Sequence, residues 1–191
     1  MVGLTLCWAG DLTEGEEVIR PFRELRPAVD LVGAMPYADF NCMIDDPPGM
    51  RNYWTAEYHE DFPDDALDVF VKYGSERRSP LAQQLLLPWG GAVARIGEHA
   101  TPMTKRSAPW ITHPWEDPAD DDANIEWARG FRRDIAKYAT GGVYLNFIGS
   151  EGEERVRAAF GAQKYARLQA VKAEYDPANV FHGNQNITPA T

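Results

Sequence analysis

The stretch that most restricts the fold is Gly141-Gly142 followed by residues 143–148, an apolar run that leaves two glycines and is set between helical segments. The glycines end one element and launch the next, and the run predicts the clearest strand of the chain. Upstream, Pro118-Ala-Asp-Asp-Asp122 puts carboxylates where a helix dipole favours them. It predicts a helix to about Tyr138, with Ile125, Ala128, Phe131, Ile135 and Tyr138 on the inner side. Downstream, two more helices are predicted over 151–160 and 162–174. A strand isolated between helices limits the chain to folds that mix the two, and spacing alone suits a parallel, doubly wound sheet as well as an antiparallel one.

The rest of the chain continues the alternation. Residues 2–9 read as a buried strand closed by Gly10-Asp11, and Thr13 caps a helix with Val18, Ile19, Phe22 and Leu25 on one face until Pro27 stops it. A short helix opens at Pro36 and presents Tyr37, Phe40, Met43 and Ile44. Residues 52–58 alternate as a strand, and Asp64 caps a helix carrying Leu67, Phe70 and Val71. Residues 81–87 and 91–96 are strand-like, joined by a bend at Pro88-Trp89-Gly90. Residues 108–116 form a broken strand, because Pro109 and Pro114 each remove a ladder donor, which predicts an edge strand, a bulge or a loop.

Bulk properties exclude several functions. At 191 residues, 44% of them hydrophobic, the chain suits one domain, or one domain with a small lobe. A net charge of -10 is the wrong sign for a nucleic acid or an anionic membrane surface. With no 18-residue apolar stretch and no basic leader at its start, a cytoplasmic protein is the simplest expectation. Cys7 and Cys42 carry no metal or redox spacing and read as small buried hydrophobes. His59, His99, His113 and His182 make no zinc-binding spacing, so no metal is expected. The acidic residues 117–122 read as helix-start chemistry on a solvated face.

The tail, Tyr175-Asp-Pro-Ala-Asn-Val-Phe-His-Gly-Asn-Gln-Asn-Ile-Thr-Pro-Ala-Thr191, resembles the carboxyl-terminal signature of the berberine bridge enzyme-like FAD-dependent oxidases. Six further segments match the same family in order: Cys7-Trp-Ala-Gly-Asp-Leu-Thr-Glu-Gly15, Met35-Pro-Tyr37, Arg51-Asn-Tyr-Trp54, Gly90-Gly-Ala-Val93 with Arg95, Trp115-Glu-Asp-Pro118, and Tyr138-Ala-Thr-Gly-Gly-Val-Tyr-Leu-Asn-Phe147. The resemblance implies an α+β fold, a large antiparallel β-sheet with helices packed on one face. It makes residues 1–191 the family's substrate domain, with 174–191 as a flavin-side segment and no FAD-binding domain. It implies that Tyr144 and Asn146 are catalytic positions. Period-2 geometry of the predicted strand puts them on one sheet face, where a phenol assisted by neighbouring donors or a cation takes a hydroxyl proton. Without the resemblance, Tyr144 reads as an aromatic strand residue packed against a neighbour. Asn184, Gln185 and Asn186 read equally as flavin-edge contacts or as a latch that pins the terminus. Tyr53 and Trp54 resemble the wall of a substrate pocket.

FAD is the implied cofactor, although the pyrophosphate cradle and the flavin-linking His and Cys of many members have no counterpart here. The expected partners are a small-molecule substrate and a separately encoded FAD-binding domain, or a second copy of the chain. Three readings follow: the substrate half of an FAD-dependent oxidoreductase acting on an alcohol, sugar or natural-product hydroxyl; a non-catalytic ligand-binding or self-associating domain; and a gene product without selected activity.

Overall fold

The computed structural model describes every residue except Met1, Ile44, Pro47, 104–107, 113 and 114, with Glu98 and residues 108–112 described as backbone alone. The expectations resting on Ile44, His113 and Pro114 therefore fall outside the described residues. The chain divides into two units, Met1–Asp46 and Pro47–Thr191.

The first unit holds α1 (Leu12–Glu24) and α2 (Tyr37–Cys42). Asp11, not Thr13, caps α1, its carboxylate accepting from the backbone N–H of Thr13 at 2.8 Å and of Glu14 at 3.2 Å. The Trp8 indole N–H donates to the Asp11 carbonyl at 2.9 Å, and the ring packs so closely on Gly15 that a Cβ there would sit 2.7 Å from it. Residues 2–9 form no strand, because a strand exists only where a neighbour takes its N–H and C=O groups, and none does among the described residues. Cys7 and Cys42 are exposed rather than buried.

In the second unit, β1 (Trp54–Ala56), β2 (Gln83–Leu87) and β3 (Ala108–Thr112) make an antiparallel sheet in the order β1-β3-β2. β3 is thus the central strand, not the expected edge. Pro109 is tolerated because β1 pairs only as far as Trp110, through Ala56, so Pro109 has a single neighbour, opposite Leu86. Helices α3 (Asp64–Ser75), α4 (Gly91–Ala94), α5 (Asp121–Ile135) and α6 (Glu153–Tyr175) complete the unit. Asp64 is the first residue of α3 rather than its cap, and Pro63 takes the capping position without a side-chain bond. The predicted strand 91–96 is instead α4, since the Trp89 N–H turns back to the Leu87 carbonyl at 2.8 Å and carries the chain off the sheet. α6 breaks at Gly161 (φ 72°, ψ 158°), as the two predicted helices require.

The large antiparallel sheet reduces to these three paired strands plus a segment along the outer side of β1. Thr140 N–H donates to the Tyr58 carbonyl at 2.8 Å, Tyr58 N–H to the Gly142 carbonyl at 3.2 Å, and Gly149 N–H to the Trp54 carbonyl at 3.1 Å. Five residues, 54–58, therefore face eight, 142–149, and the two runs cannot stay in register. The surplus winds into one 3-10 turn, Leu145–Phe147, so the clearest predicted strand is an interrupted edge segment. No helix among the described residues is long and apolar enough to cross a membrane.

α3 and α5 pack through Ala66, Trp127, Ala128, Phe131 and Ile135, with Phe62, Phe70 and Tyr73 around them. A second core of Ala56, Val143, Ile148 and Ala159 joins the sheet, the edge segment and α6. Between these apolar clusters the Arg155 guanidinium spends each nitrogen on a different partner. Nε meets Glu151 at 3.0 Å, Nη1 meets Glu57 at 3.0 Å, and Nη2 donates to the Ala56 carbonyl at 2.8 Å. Arg132 adds a second contact to buried Glu57 at 2.8 Å.

Truncating Arg155→Ala removes the cation beside Glu151, leaves Glu57 with Arg132 alone and costs about 3–5 kcal/mol of unfolding free energy by urea titration, whereas Arg155→Lys loses less. His59 gives a pH dependence. Burial holds its pKa below the ordinary 6.5, opposed by the hydrogen bond to the Tyr138 carbonyl and by Glu57. The unfolded chain therefore binds the proton first as pH falls, so His59 stabilises fully above about pH 6.5 and this is lost on acidification below it. The urea midpoint drops between pH 7.5 and 5.5, and His59→Gln shows a smaller drop.

Candidate functional site

The turn that interrupts the edge segment builds the site. Val143 and Ile148 are buried on either side of it and anchor the backbone. Between them the 3-10 geometry replaces the expected period-2 geometry, and it still brings Tyr144 and Asn146 together. The Asn146 amide Nδ2 donates to the Tyr144 hydroxyl oxygen at 2.8 Å. The phenol ring is held edge-to-face by Phe147, with centroids 4.8 Å apart, and by Trp89 at 5.0 Å. Phe147 in turn stacks on Trp54 at 5.6 Å, and Trp89 lies 6.5 Å from the ring of buried Tyr58. Five aromatics thus form one continuous row along the edge of the sheet.

Trp54 belongs to that row and Tyr53 does not. Tyr53, just ahead of β1, packs against the α3–α5 core. Its hydroxyl donates to Glu151 at 3.3 Å and accepts from Arg129 Nε at 3.4 Å. Trp89 and Phe147 went unremarked as site residues in the sequence. The signal for Trp89 was an aromatic between a proline and a glycine, where a bend turns the ring out of the ladder.

The tail closes the other side. Gln169 Nε2 donates to the Thr188 carbonyl at 3.3 Å, and Ala190 N–H donates to the Gln169 carbonyl at 3.1 Å, fastening the terminus to α6. Gln185 takes a positive φ of 49°, and its Nε2 donates to the carbonyls of Ile148 at 3.0 Å and Gly149 at 3.1 Å. Gln185 is therefore a latch. Between latch and turn runs an open groove of about 700 Å³, lined by Asn146, His182, Asn184, Gln185 and Asn186 among others. Asn146 and the 184–186 strip thus share one groove, and Tyr144 adjoins it through its bond to Asn146.

The donor set suits the edge of a flavin ring. The side-chain oxygen of Asn186 is buried and accepts no hydrogen bond, so an acceptor is in place for a ring N–H. Asn146 and Asn184 add amide groups along the groove. No lysine or arginine is among the described lining residues, so nothing in the groove matches a pyrophosphate. No group of three or more His, Cys, Asp or Glu residues is placed to hold a metal among the described residues.

Gln185→Ala removes both latch bonds, each worth about 1 kcal/mol. Amide exchange of residues 184–190 accelerates several-fold while that of α5 does not change.

Residues 143–188 match the model of the family "Berberine and berberine like", an interval that contains Tyr144, Asn146 and Asn184 to Asn186. An uncharacterised FAD-linked oxidoreductase of Bacillus subtilis, YvdP, is 27% identical over 154 residues, 76% of this chain and 34% of the relative. The aclacinomycin-N/aclacinomycin-A oxidase of Streptomyces galilaeus is 33% identical over 125 residues, 54% of this chain and 23% of the relative. Among solved structures, 6-hydroxy-D-nicotine oxidase from Arthrobacter nicotinovorans superposes with a TM-score of 0.73 at 22% identity, covering 95% of this chain and 43% of that one. The chain is a relative of the FAD-linked oxidoreductases of the berberine bridge enzyme-like family, and it spans about a third or less of the length of the curated relatives it matches.

Proposed function

We propose that this chain is the substrate side of an FAD-dependent oxidoreductase that oxidises a hydroxyl group of an alcohol, sugar or natural product, with the FAD phosphates held by residues outside this sequence. The observation that carries the reading is the 2.8 Å contact from the Asn146 amide to the Tyr144 oxygen, at the rim of a groove with an unsatisfied acceptor. A flavin, when bound, supplies the acceptor for a hydride.

The chain's own residues do the remainder. Tyr144, as the phenolate, takes the substrate hydroxyl proton at its oxygen and becomes the phenol, and the Asn146 N–H aimed at that oxygen orients it. Phe147 and Trp89 fix the ring between them and exclude water from its faces. Asn186 and Asn184 face the flavin ring edge, and the Gln185 latch keeps the strip that carries them against the turn. Trp54, stacked beyond Phe147, extends an apolar wall for the substrate. Relatives that act on hydroxyl-bearing compounds support the substrate class: an aclacinomycin oxidase, and a glycopeptide hexose oxidase solved with teicoplanin, which is 20% identical with a TM-score of 0.65.

Two measurements test the reading. Titrating the chain with riboflavin quenches the flavin fluorescence, and Asn186→Leu weakens that binding about tenfold; an affinity the variant leaves unchanged removes the groove from the account. In the flavin-loaded, complete protein, Tyr144→Phe lowers kcat by about 10²–10⁴-fold with riboflavin affinity unaltered. A variant turning over at the original rate takes the proton-accepting role from Tyr144.

A further inference from the structure

His59 is 3% exposed, yet its chain neighbour Glu60 and its hydrogen-bond partner Tyr138 both line an open cleft of about 470 Å³, together with Asp61 and Thr140. Nδ1 of His59 lies 3.1 Å from the Tyr138 carbonyl oxygen. A carbonyl only accepts, so Nδ1 donates and the neutral ring carries its single proton there. A second proton charges a ring packed edge-to-face on Phe62 at 5.5 Å, at the margin of the α3–α5 core. Glu57, on the same run of chain, favours the charged ring, but Arg132 from α5 and Arg155 from α6 already share its carboxylate. Lys137 lies over the Tyr138 ring and feels Asp65 of α3 and Asp134 of α5. Burial outweighs the attractions on His59 and depresses its pKa below 6.5. The same stretch of chain holds the start of the edge segment. Thr140 reaches the Tyr58 carbonyl through its N–H at 2.8 Å and its hydroxyl at 3.1 Å, and the Tyr58 N–H donates to the Gly142 carbonyl at 3.2 Å. Between these contacts Gly141 takes a φ of 83°, which only glycine adopts without strain.

We propose that His59 is an acid-sensitive clasp on the edge segment: on protonation its ring leaves the Tyr138 carbonyl for the cleft, where Glu60 and Asp61 receive the imidazolium, and residues 138–142 detach from Tyr58. The two states differ in what surrounds one charge. Closed, the ring is neutral and buried; open, it is charged, hydrated and flanked by carboxylates. The closed state binds the second proton more weakly, so opening is favoured as pH falls below about 6.5. The far end of the segment stays in place, with Ile148 buried and the Gly149 N–H on the Trp54 carbonyl, so the change is local. Tyr144 and Asn146 lie between the two ends, and the closed clasp is what holds their turn taut. The clasp goes beyond the flavin reading and operates in the chain without any ligand.

The test follows backbone amide exchange of the full chain by NMR between about pH 7.5 and about pH 5, with each rate divided by that of an unstructured chain at the same pH, alongside the titration of the His59 ring. Protection of the Tyr58 and Thr140 amides is expected to fall about tenfold as the ring titrates, while that of Ala128 and Phe131 in α5 does not change. His59→Gln keeps a donor for the Tyr138 carbonyl but takes no proton, and it is expected to lose the pH step. Asp61→Asn, an exposed change in the cleft, is expected to move the step to lower pH because the open imidazolium loses a carboxylate. Four results overturn the clasp: protection at Tyr58 and Thr140 that holds while His59 titrates, a step that persists in His59→Gln, a step that α5 shares in full, or one that Asp61→Asn leaves in place.

Discussion

The second unit depends on one guanidinium. Arg155 leaves the first turns of α6, reaches the β1 carbonyl of Ala56 and ties it to the carboxylates of Glu151 and Glu57, the second of which also meets Arg132. Such a cluster adds less stability than an apolar core of equal volume, but removing one member is costly, so it specifies geometry more than it strengthens it. What it specifies is the distance between α6 and β1. The edge segment threads that gap, with Ile148 and Ala159 packed inside it. Because the ends of the segment are bonded to Tyr58 and Trp54, its surplus residues have nowhere to go but outward.

That outward turn makes the site. A regular strand would have set Tyr144 and Asn146 two residues apart on one sheet face, about 7 Å along the strand, too far for the amide to reach the phenol oxygen without help. Winding 145–147 into a 3-10 turn shortens the separation and lets the two side chains bond directly. The same turn brings Phe147 against both Tyr144 and Trp54. The tail is a second consequence: the carbonyls of Ile148 and Gly149 just past the turn receive the Gln185 amide, so the latch closes on the feature that forms the groove. Local irregularity, core packing and the candidate chemistry are coupled through a few backbone carbonyls.

Helices were legible in the sequence because their signals are local. The acidic start and apolar face of α5, the proline before α2 and the glycine that breaks α6 all act within a few residues. Two strands, 52–58 and 81–87, were legible and became β1 and β2, but the others were not, because a ladder needs a partner that composition does not name. Residues 2–9 have strand character and no ladder neighbour among the described residues, 91–96 turn off the sheet at Trp89, and 143–148 lose register against β1. β3 ran the other way: its prolines argued for an edge, yet the shortness of β1 leaves Pro109 in a central strand without a lost ladder bond on that side. The candidate site was legible through family resemblance at Tyr144, Asn146 and 184–186, whereas Trp89 and the parting of Tyr53 from Trp54 follow from a turn and a strand face that only the fold sets.

The most direct test of the central claim, that the turn and the tail form one flavin-facing groove, is the side-chain amide NMR spectrum of the chain as riboflavin is added. The account predicts that the Asn146 and Asn186 resonances move together along one binding curve while those of Asn41 and Asn52 stay in place. Resonances of Asn146 and Asn186 that do not respond, or that respond at different riboflavin concentrations, would contradict it.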